Sequence, residues 1–301
     1  MSNIAIIILF LLLGVSMQRV KLIPERLPHY LNSYLIYLVL PALALRHLPE
    51  VALQPHLLLP IASAWISFAV SWLIFGTLGK KLNWGDAVTG CLIIVSGLAN
   101  TSFVGFPIIG ALYGAEGLKI ALLIDQAGSF IIVSSIAIIV ASIYATSKKR
   151  KRDITRKIIT FPPFLFFILA ITMNLLNWSL PTWLDGMLSV FTVTLTPVAL
   201  TAVGLQVKIN PSALKSPYLW IGLGYKLILI PLLIYILFSK VFGLDGLILE
   251  VSVLEAAMAP MITGSIIAIT HQLEPRLASL LVGVGIPLSF LTVGVWFWII
   301  H

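Results

Sequence analysis

Charge and cysteine are both scarce in this sequence. Only 10% of its 301 residues are Asp, Glu, Lys or Arg, whereas 59% are hydrophobic. An average soluble domain carries about 25% charged residues, so water could not solvate a folded surface of this composition. The single cysteine, Cys91, excludes an internal disulfide framework. We therefore predict a polytopic membrane protein whose solvent is the lipid bilayer.

Motifs for metal and nucleotide chemistry are also missing. The five histidines fall at predicted helix ends or in loops, and none has metal-ligand spacing to another histidine or to the cysteine. No glycine-rich phosphate loop occurs, which argues against ATP-driven transport by this chain alone. We expect no metal centre, no organic cofactor and no enzymatic activity.

Long apolar runs are what the sequence does contain. A membrane helix needs about 20 mostly apolar residues. Ten such runs, here called spans 1 to 10, follow one another with short connections: 2–17, 29–47, 57–79, 86–112, 118–146, 161–177, 184–206, 217–240, 246–270 and 277–300. We predict an all-α protein with ten transmembrane helices.

Basic residues concentrate on one side of this predicted topology. The connection SKKRKRDITRK (147–157) holds seven of them, and the bias of Lys and Arg places it in the cytoplasm. With alternating spans, 15 of the 19 basic residues then face inward. This bias explains the net charge of +8 without a nucleic-acid partner. We predict a multi-pass protein of the cell membrane (inner or plasma membrane) with both termini outside the cytoplasm.

Prolines reveal an internal repeat. Five pairs recur at offsets of 153 to 157 residues: Pro24 and Pro181, Pro41 and Pro197, Pro55 and Pro211, Pro60 and Pro217, and Pro107 and Pro260. The offsets predict two five-helix repeats, 1–146 and 161–301, joined by a basic cytoplasmic loop at 147–160. Because five crossings invert the second copy, this arrangement is typical of secondary transporters.

Polar residues interrupt span 4 in the sequence NTSFVGFP (100–107), and Pro260 interrupts the corresponding span 9. Proline removes a backbone donor, and Gly105 would add local freedom. Such breaks persist in a membrane only where protein buries them or a cavity hydrates them. We predict that the two breaks meet near the bilayer centre as a substrate site. Its residues would be Asn100, Thr101, Ser102, Gly105, Pro107, Ala259, Pro260 and Met261. The alternative is a kinked packing helix whose hydroxyls bond their own backbone.

Ionisable residues inside spans form the second candidate set. A charge at the membrane centre is costly and usually functional. We assign ion or proton coupling to Asp125, Gln126, Lys226 and Glu255. Structural pairing is the alternative for both carboxylates, and Lys226 could neutralise one of them or bind a substrate carboxylate.

The stretch NTSFVGFPIIGALYG (100–114) resembles the Asn-x(4)-Gly-x-Pro signature of the auxin efflux carrier family, which includes bacterial malate and malonate permeases and plant PIN-formed auxin carriers. The resemblance implies a scaffold of spans 1, 2, 6 and 7. It also implies a mobile transport domain of spans 3–5 and 8–10, with spans 4 and 9 crossing, elevator movement, and a homodimer through the scaffold. Asp125 resembles an acidic position common in bacterial members. Glu255 resembles the acidic sodium ligand of the distantly related bile acid:sodium symporters.

These observations favour a secondary active transporter, or permease, for a small organic anion, with a carboxylate expected and a sodium ion or a proton as coupling ion. The alternatives are a sodium-coupled symporter of the bile acid type and a membrane sensor or receptor that binds without translocating. An intramembrane enzyme using Asp125 and Glu255 is a third, but no motif supplies that pairing.

Overall fold

A computed structural model describes residues 2–20, 23–24, 26–51, 54–145, 161–207 and 214–301 of the chain. Within these ranges the regular structure is helical, apart from one isolated antiparallel β-bridge between Ala99 and Pro260. The predicted all-α class is therefore confirmed. The predicted basic loop, 147–160, lies outside the described residues.

The described residues of the first half form six helices. They are α1 (Ser2–Met17), α2 (Leu27–Glu50), α3 (Pro55–Lys81), α4 (Asp86–Gly97), α5 (101–113) and α6 (115–144). Helices α5 and α6 belong to one continuous helical stretch, Thr101–Tyr144, that turns at Gly114. Gly114 has φ 62° and ψ −147°, a conformation open to glycine because it has no Cβ.

Another six helices form in the part of the second half that the structure describes. They are α7 (Pro162–Leu175), α8 (Thr182–Gln206), α9 (Pro217–Val241), α10 (Gly246–Ala256), α11 (Ile262–Thr270) and α12 (Pro275–Ile300). Six helical stretches in the described chain are long and apolar enough to cross a membrane: α2, α3, the α5–α6 stretch, α8, α9 and α12. Helices overlap all ten predicted spans, but ten crossings and the inverted repeat stay predictions.

Helices α1 and α2 of the first half pack against α7 and α8 of the second half. Helix α1 lies against the second half of α8, where Gly14 and Gly204 allow the two backbones to touch. Helix α2 lies against α7, and the Asn174 amide of α7 donates to the Leu48 carbonyl at 2.9 Å. Arg46 of α2 also donates to Asp185 of α8 at 2.6 Å. These four helices are the ones that the family resemblance assigns to a scaffold.

The centre of the molecule is formed by the two interrupted spans. The chain is buried without a break from 89 to 101 and again from 251 to 262. A helix that is apolar on every side has no solvent-facing stripe and belongs in the interior. The polar groups in these two stretches are therefore enclosed by protein, and the fold must provide their partners.

Candidate solute site at the helix breaks

The interruptions of spans 4 and 9 lie directly against each other. Helix α4 ends at Gly97 and α10 at Ala256, and the chain resumes as α5 and α11. The Asn100 N–H donates to the Ala259 carbonyl at 2.8 Å, and the Met261 N–H donates to the Leu98 carbonyl at 3.1 Å. Each break thus supplies the backbone partners that the other lacks, as an apolar environment requires.

The position of the first break differs from the one predicted at Pro107. The chain leaves the helix at Leu98–Asn100, and Pro107 is only the second residue of the regular helix Phe106–Leu123. Asn100 begins the new helix, because its Oδ1 accepts the Phe103 N–H at 3.2 Å. A π-helical turn, Thr101–Gly105, then leads to the proline. The prediction that Pro107 ruptures the helix is wrong, whereas Pro260 does lie inside the second break.

Four helix ends converge at this crossing. Helices α5 and α11 start there, and α4 and α10 end there. The helix starts carry partial positive charge and the helix ends partial negative charge. The crossing can therefore stabilise an anionic or polar group on one side and a cation on the other.

Asp125 is the centre of a buried hydrogen-bond cluster. Its Oδ1 accepts hydrogen bonds from the hydroxyls of Thr101 and Ser102, the latter at 2.5 Å. Its Oδ2 accepts from Gln126 Nε2 at 2.6 Å. Asp125 and Gln126 lie in the π-helical turn Ile124–Phe130 of α6, and such turns often occur at functional sites. The hydroxyls of the interrupted stretch thus bond a carboxylate on another helix, not their own backbone.

Glu255 lies on the other side of the crossing. It is completely buried, and neither carboxylate oxygen has a hydrogen-bond partner among the described residues. A Cβ placed on Gly105 would collide with this carboxylate. Gly105 itself has ordinary right-handed helical angles, φ −64° and ψ −57°. The expectation that Gly105 adds backbone freedom is therefore wrong, because its role is to leave room for Glu255.

Lys226 is a third buried charge near the crossing. It lies in the π-helical turn Tyr225–Leu229 of α9 and is fully enclosed. Within the described chain its Nζ has no hydrogen-bond partner and no carboxylate oxygen within 4.0 Å. Glu255 nevertheless interacts electrostatically with both Lys226 and Asp125. Lys226 therefore lies near Glu255 without forming an ion pair with it among the described residues.

A cavity of about 320 Å³ opens beside the crossing. It collects five of the predicted site residues: Asn100, Ser102, Asp125, Gln126 and Met261. The other five predicted members of the substrate set, namely Thr101, Gly105, Pro107, Ala259 and Pro260, build the crossing but do not line this cavity. Neither do Lys226 and Glu255.

Sequence reasoning missed the apolar wall of the cavity. Most of the remaining lining is apolar, contributed by Ile36, Leu40, Phe103, Phe130, Val133, Ile138, Phe161, Ile262 and Ile267, with Ser134 and Thr263 as polar exceptions. Phe103 and Ile262 adjoin the two interruptions, so proximity in sequence could have suggested them. Ile36 and Leu40 come from α2, and no local pattern marks them.

A much smaller cavity, of about 10 Å³, adjoins Glu255. Its polar lining includes the side chains of Ser63, Ser67, Thr101 and Ser129. Ser63 and Ser67 donate to backbone carbonyls of their own helix, α3, which leaves their oxygen lone pairs available. A volume of this size holds about one water molecule or ion. Ser63 and Ser67, four residues apart in an apolar helix, are the sequence signal that could have indicated this site.

Interrupted helices that cross beside an enclosed polar cavity are typical of secondary carriers. The chain belongs to the membrane transport protein family, whose profile matches residues 1–297. The match confirms the family resemblance seen in NTSFVGFP and identifies an integral membrane protein of a transporter family.

Two archaeal relatives align over almost the whole chain. The sequence is 25% identical to an uncharacterized transporter of Methanocaldococcus jannaschii, over 100% of this chain and 98% of that protein. It is 24% identical to an uncharacterized transporter of Methanothermobacter thermautotrophicus, over 96% of this chain and 95% of that protein.

The contact between Gly105 and Glu255 makes a first prediction. Gly105→Ala should destabilise the protein by about 1–3 kcal/mol, because the new methyl group overpacks against a buried carboxylate. Thermal unfolding of the purified protein in detergent measures this effect. Gly110→Ala, in the same helix, is the matched control, since its Cβ would make only ordinary contacts with Leu118. In a Glu255→Ala background the Gly105 substitution should lose its effect. Equal stability of the two alanine variants would contradict the geometry.

Proposed function

We propose that the protein is a secondary active transporter of a small organic anion, most simply a carboxylate, and that the 320 Å³ cavity is its binding site. The observation that carries this proposal is the reciprocal hydrogen bonding of two helix breaks beside a cavity that Asn100, Ser102, Asp125 and Gln126 line. A membrane protein that only needed stability could use continuous helices, because every broken backbone bond must be replaced.

The position of the cavity supports movement of an elevator type. Its polar residues belong to α5, α6 and α11 or, for Asn100, to the break before α5, whereas Ile36 and Leu40 of its lining belong to α2. An apolar wall offers no hydrogen bonds, so a polar site could move past it without breaking any. We therefore propose that α1, α2, α7 and α8 form the scaffold and that α3–α6 and α9–α12 carry the solute.

The pairing of helices is consistent with the proposed inverted repeat. Spans 1 and 2 correspond to spans 6 and 7 in the two halves. Helix α1 packs on α8 and helix α2 packs on α7. Span 1 therefore contacts span 7, the counterpart of span 2, and span 2 contacts span 6, the counterpart of span 1. A two-fold relation between the halves would produce this exchange.

A wider cavity supports access from one side. It measures about 610 Å³ and is lined by residues that include Gln18, Gln206, Ser265 and Ser279, and it shares Ile262 with the solute cavity. In the proposed orientation, in which both termini lie outside the cytoplasm, this opening faces the cytoplasm. We propose an inward-facing arrangement, with the scaffold also providing the contact for a homodimer.

Sodium coupling is the second candidate, and one observation favours it. The small cavity beside Glu255 offers hydroxyl oxygens and a carboxylate that has no hydrogen-bond partner among the described residues, and hard cations take oxygen ligands. A sodium ion there would be cargo that travels with the solute. In this alternative the chain is a sodium-coupled symporter.

Uptake into proteoliposomes tests the transport proposal. Labelled monocarboxylates and dicarboxylates are offered under imposed proton or sodium gradients, and we expect gradient-driven uptake of at least one of them. Asn100→Ala should lower this uptake about tenfold or more while the protein stays folded, because hydrogen bonds to a charged group contribute about 1.5–3 kcal/mol.

The control for this experiment is Thr77→Ala. Thr77 is exposed and bonds only to carbonyls of its own helix, so its loss should not affect flux. Folded protein that moves no carboxylate under any gradient would refute the proposal. Normal uptake by Asn100→Ala would remove the interrupted stretch from the site.

The sodium alternative makes a separate prediction. Sodium chloride should raise the unfolding temperature above that in choline chloride, since a ligand of the folded state stabilises it by mass action. Glu255→Ala should abolish the difference, and Glu50→Ala, at an exposed glutamate, should leave it unchanged. The same unfolding temperature in both salts would count against sodium and leave a proton as coupling ion.

A further inference from the structure

The carbonyl end of α2 is held by a side chain of α7. The Asn174 Nδ2 donates to the backbone oxygens of Leu48 and Pro49, each at 2.9 Å, and to that of Val51 at 2.7 Å. The last carbonyls of a helix have no partner within the helix. Because the amide carries two hydrogens, they are shared among the three oxygens, and Asn174 caps the end of α2.

The carbonyl end of α8 is held in the same way by Gln18, which directly follows α1. The Gln18 Nε2 donates to the Gly204 oxygen at 2.6 Å and to the Val207 oxygen at 2.9 Å. Both helices also finish in the same turn. The Val51 N–H donates to the Leu48 carbonyl at 3.1 Å, and the Val207 N–H donates to the Gly204 carbonyl at 3.3 Å. Each helix end thus combines one closed turn with one amide from a neighbouring helix.

The two caps occupy equivalent positions in the chain. Their members pair at an offset of 156 residues: Gln18 with Asn174, Leu48 with Gly204, and Val51 with Val207. The same offset separates Pro41 from Pro197 in the predicted repeat. Val51 has φ −71° and ψ 124°, and Val207 has φ −67° and ψ 101°, so the chain leaves both helices in an extended conformation. The agreement of donor, turn and offset makes the cap a property of the repeated unit.

Both caps lie where the scaffold passes the chain on. In the proposed division the chain goes from scaffold to transport domain twice, after α2 and after α8, and the capping amides of Asn174 and Gln18 belong to the other two scaffold helices or their ends. In the proposed orientation the Asn174 cap lies on the outer side and the Gln18 cap on the cytoplasmic side. Any displacement of the transport domain would pull on these two helix ends.

We propose that Gln18 and Asn174 are a matched pair of positioning residues that anchor the two scaffold ends from which the transport domain is carried. This inference rests on the proposed function and deepens it. Both anchors stay closed during the movement, so the turns 48–51 and 204–207 remain with the scaffold and the whole displacement reaches the solute cavity. Without its amide, a turn unwinds and follows the transport domain, and part of the displacement is lost.

Isosteric variants of the full chain in proteoliposomes test the anchors. Gln18→Met and Asn174→Leu keep the approximate side-chain volume but remove the donor. Each should lower the initial rate of uptake of labelled benzoate or malonate, per folded protein, about three- to tenfold, the effect of one hydrogen bond. The half-saturation concentration should not change, because the solute cavity is untouched. Gln18→Met should have the smaller effect, since Gln18 is exposed and water can replace its bonds.

Matched variants separate an anchor from a general loss of stability. Asn174→Gln keeps an amide donor and should retain most of the rate. Thr172→Val changes an exposed residue of α7 that donates to the Ile168 carbonyl of its own helix, and Ser16→Ala changes an exposed residue beside Gln18. Both should match the parent protein. If Asn174→Leu fails to fold, Gln18→Met at the exposed cap carries the test.

Closing one cap covalently distinguishes an anchor from a gate that must open. In a Cys91→Ser background, Gln18→Cys and Val207→Cys are joined by a short bifunctional methanethiosulfonate, which a reductant removes. The joined protein should take up solute at about the rate of its Cys91→Ser parent. Reduction should lower the rate to that of Gln18→Met, because the cap is then open.

The outcomes separate this inference from the transport proposal. Uptake that stops on cross-linking and recovers on reduction would show that the contact opens, and would overturn the anchor role. Normal rates per folded protein in both donor-less variants, or a changed half-saturation concentration at an unchanged rate, would also overturn it and leave a carboxylate carrier intact. A parent protein that takes up neither benzoate nor malonate under either gradient would defeat both.

Discussion

Every backbone group inside a membrane protein needs a partner, and the structure depends on how two helix breaks meet that need. Asn100 and Met261 donate across the crossing to Ala259 and Leu98, so neither break can exist without the other. These hydrogen bonds hold the non-helical backbone of both breaks in place at the centre of an apolar molecule. This arrangement brings two helix starts, two helix ends and the side chains next to them to one place, and the solute cavity adjoins it.

The same constraint organises the buried charges. Asp125 takes three hydrogen bonds from Thr101, Ser102 and Gln126, and in doing so ties α6 to the start of α5. Glu255 occupies the space that Gly105 leaves free on the other side. The solute cavity and the smaller cavity are therefore lined from the two sides of one crossing. Asp125 lines the first cavity and Glu255 the second, so charges placed in the two cavities would act on each other electrostatically.

Local sequence could predict what depends on local chemistry. Asn100, Asp125 and Glu255 are polar residues in apolar spans, and the cost of burying them marked the site. The exact break was misplaced at Pro107 because a π-helical turn accommodates that proline, a choice that no sequence rule specifies. The role of Gly105 depends on a carboxylate 150 residues away, and Ile36 and Leu40 reach the cavity through packing of α2. Such long-range contacts are set by the whole fold.

The contact between the two breaks can be measured directly by cross-linking. In a Cys91→Ser background, Ala99→Cys and Pro260→Cys would place two thiols on bridged residues, at a separation suited to a disulfide. After oxidation and cleavage at a protease site inserted within 147–160, the account predicts that the two halves migrate together until a reductant is added. Halves that separate without reductant, although each single cysteine reacts with a small thiol reagent, would contradict it.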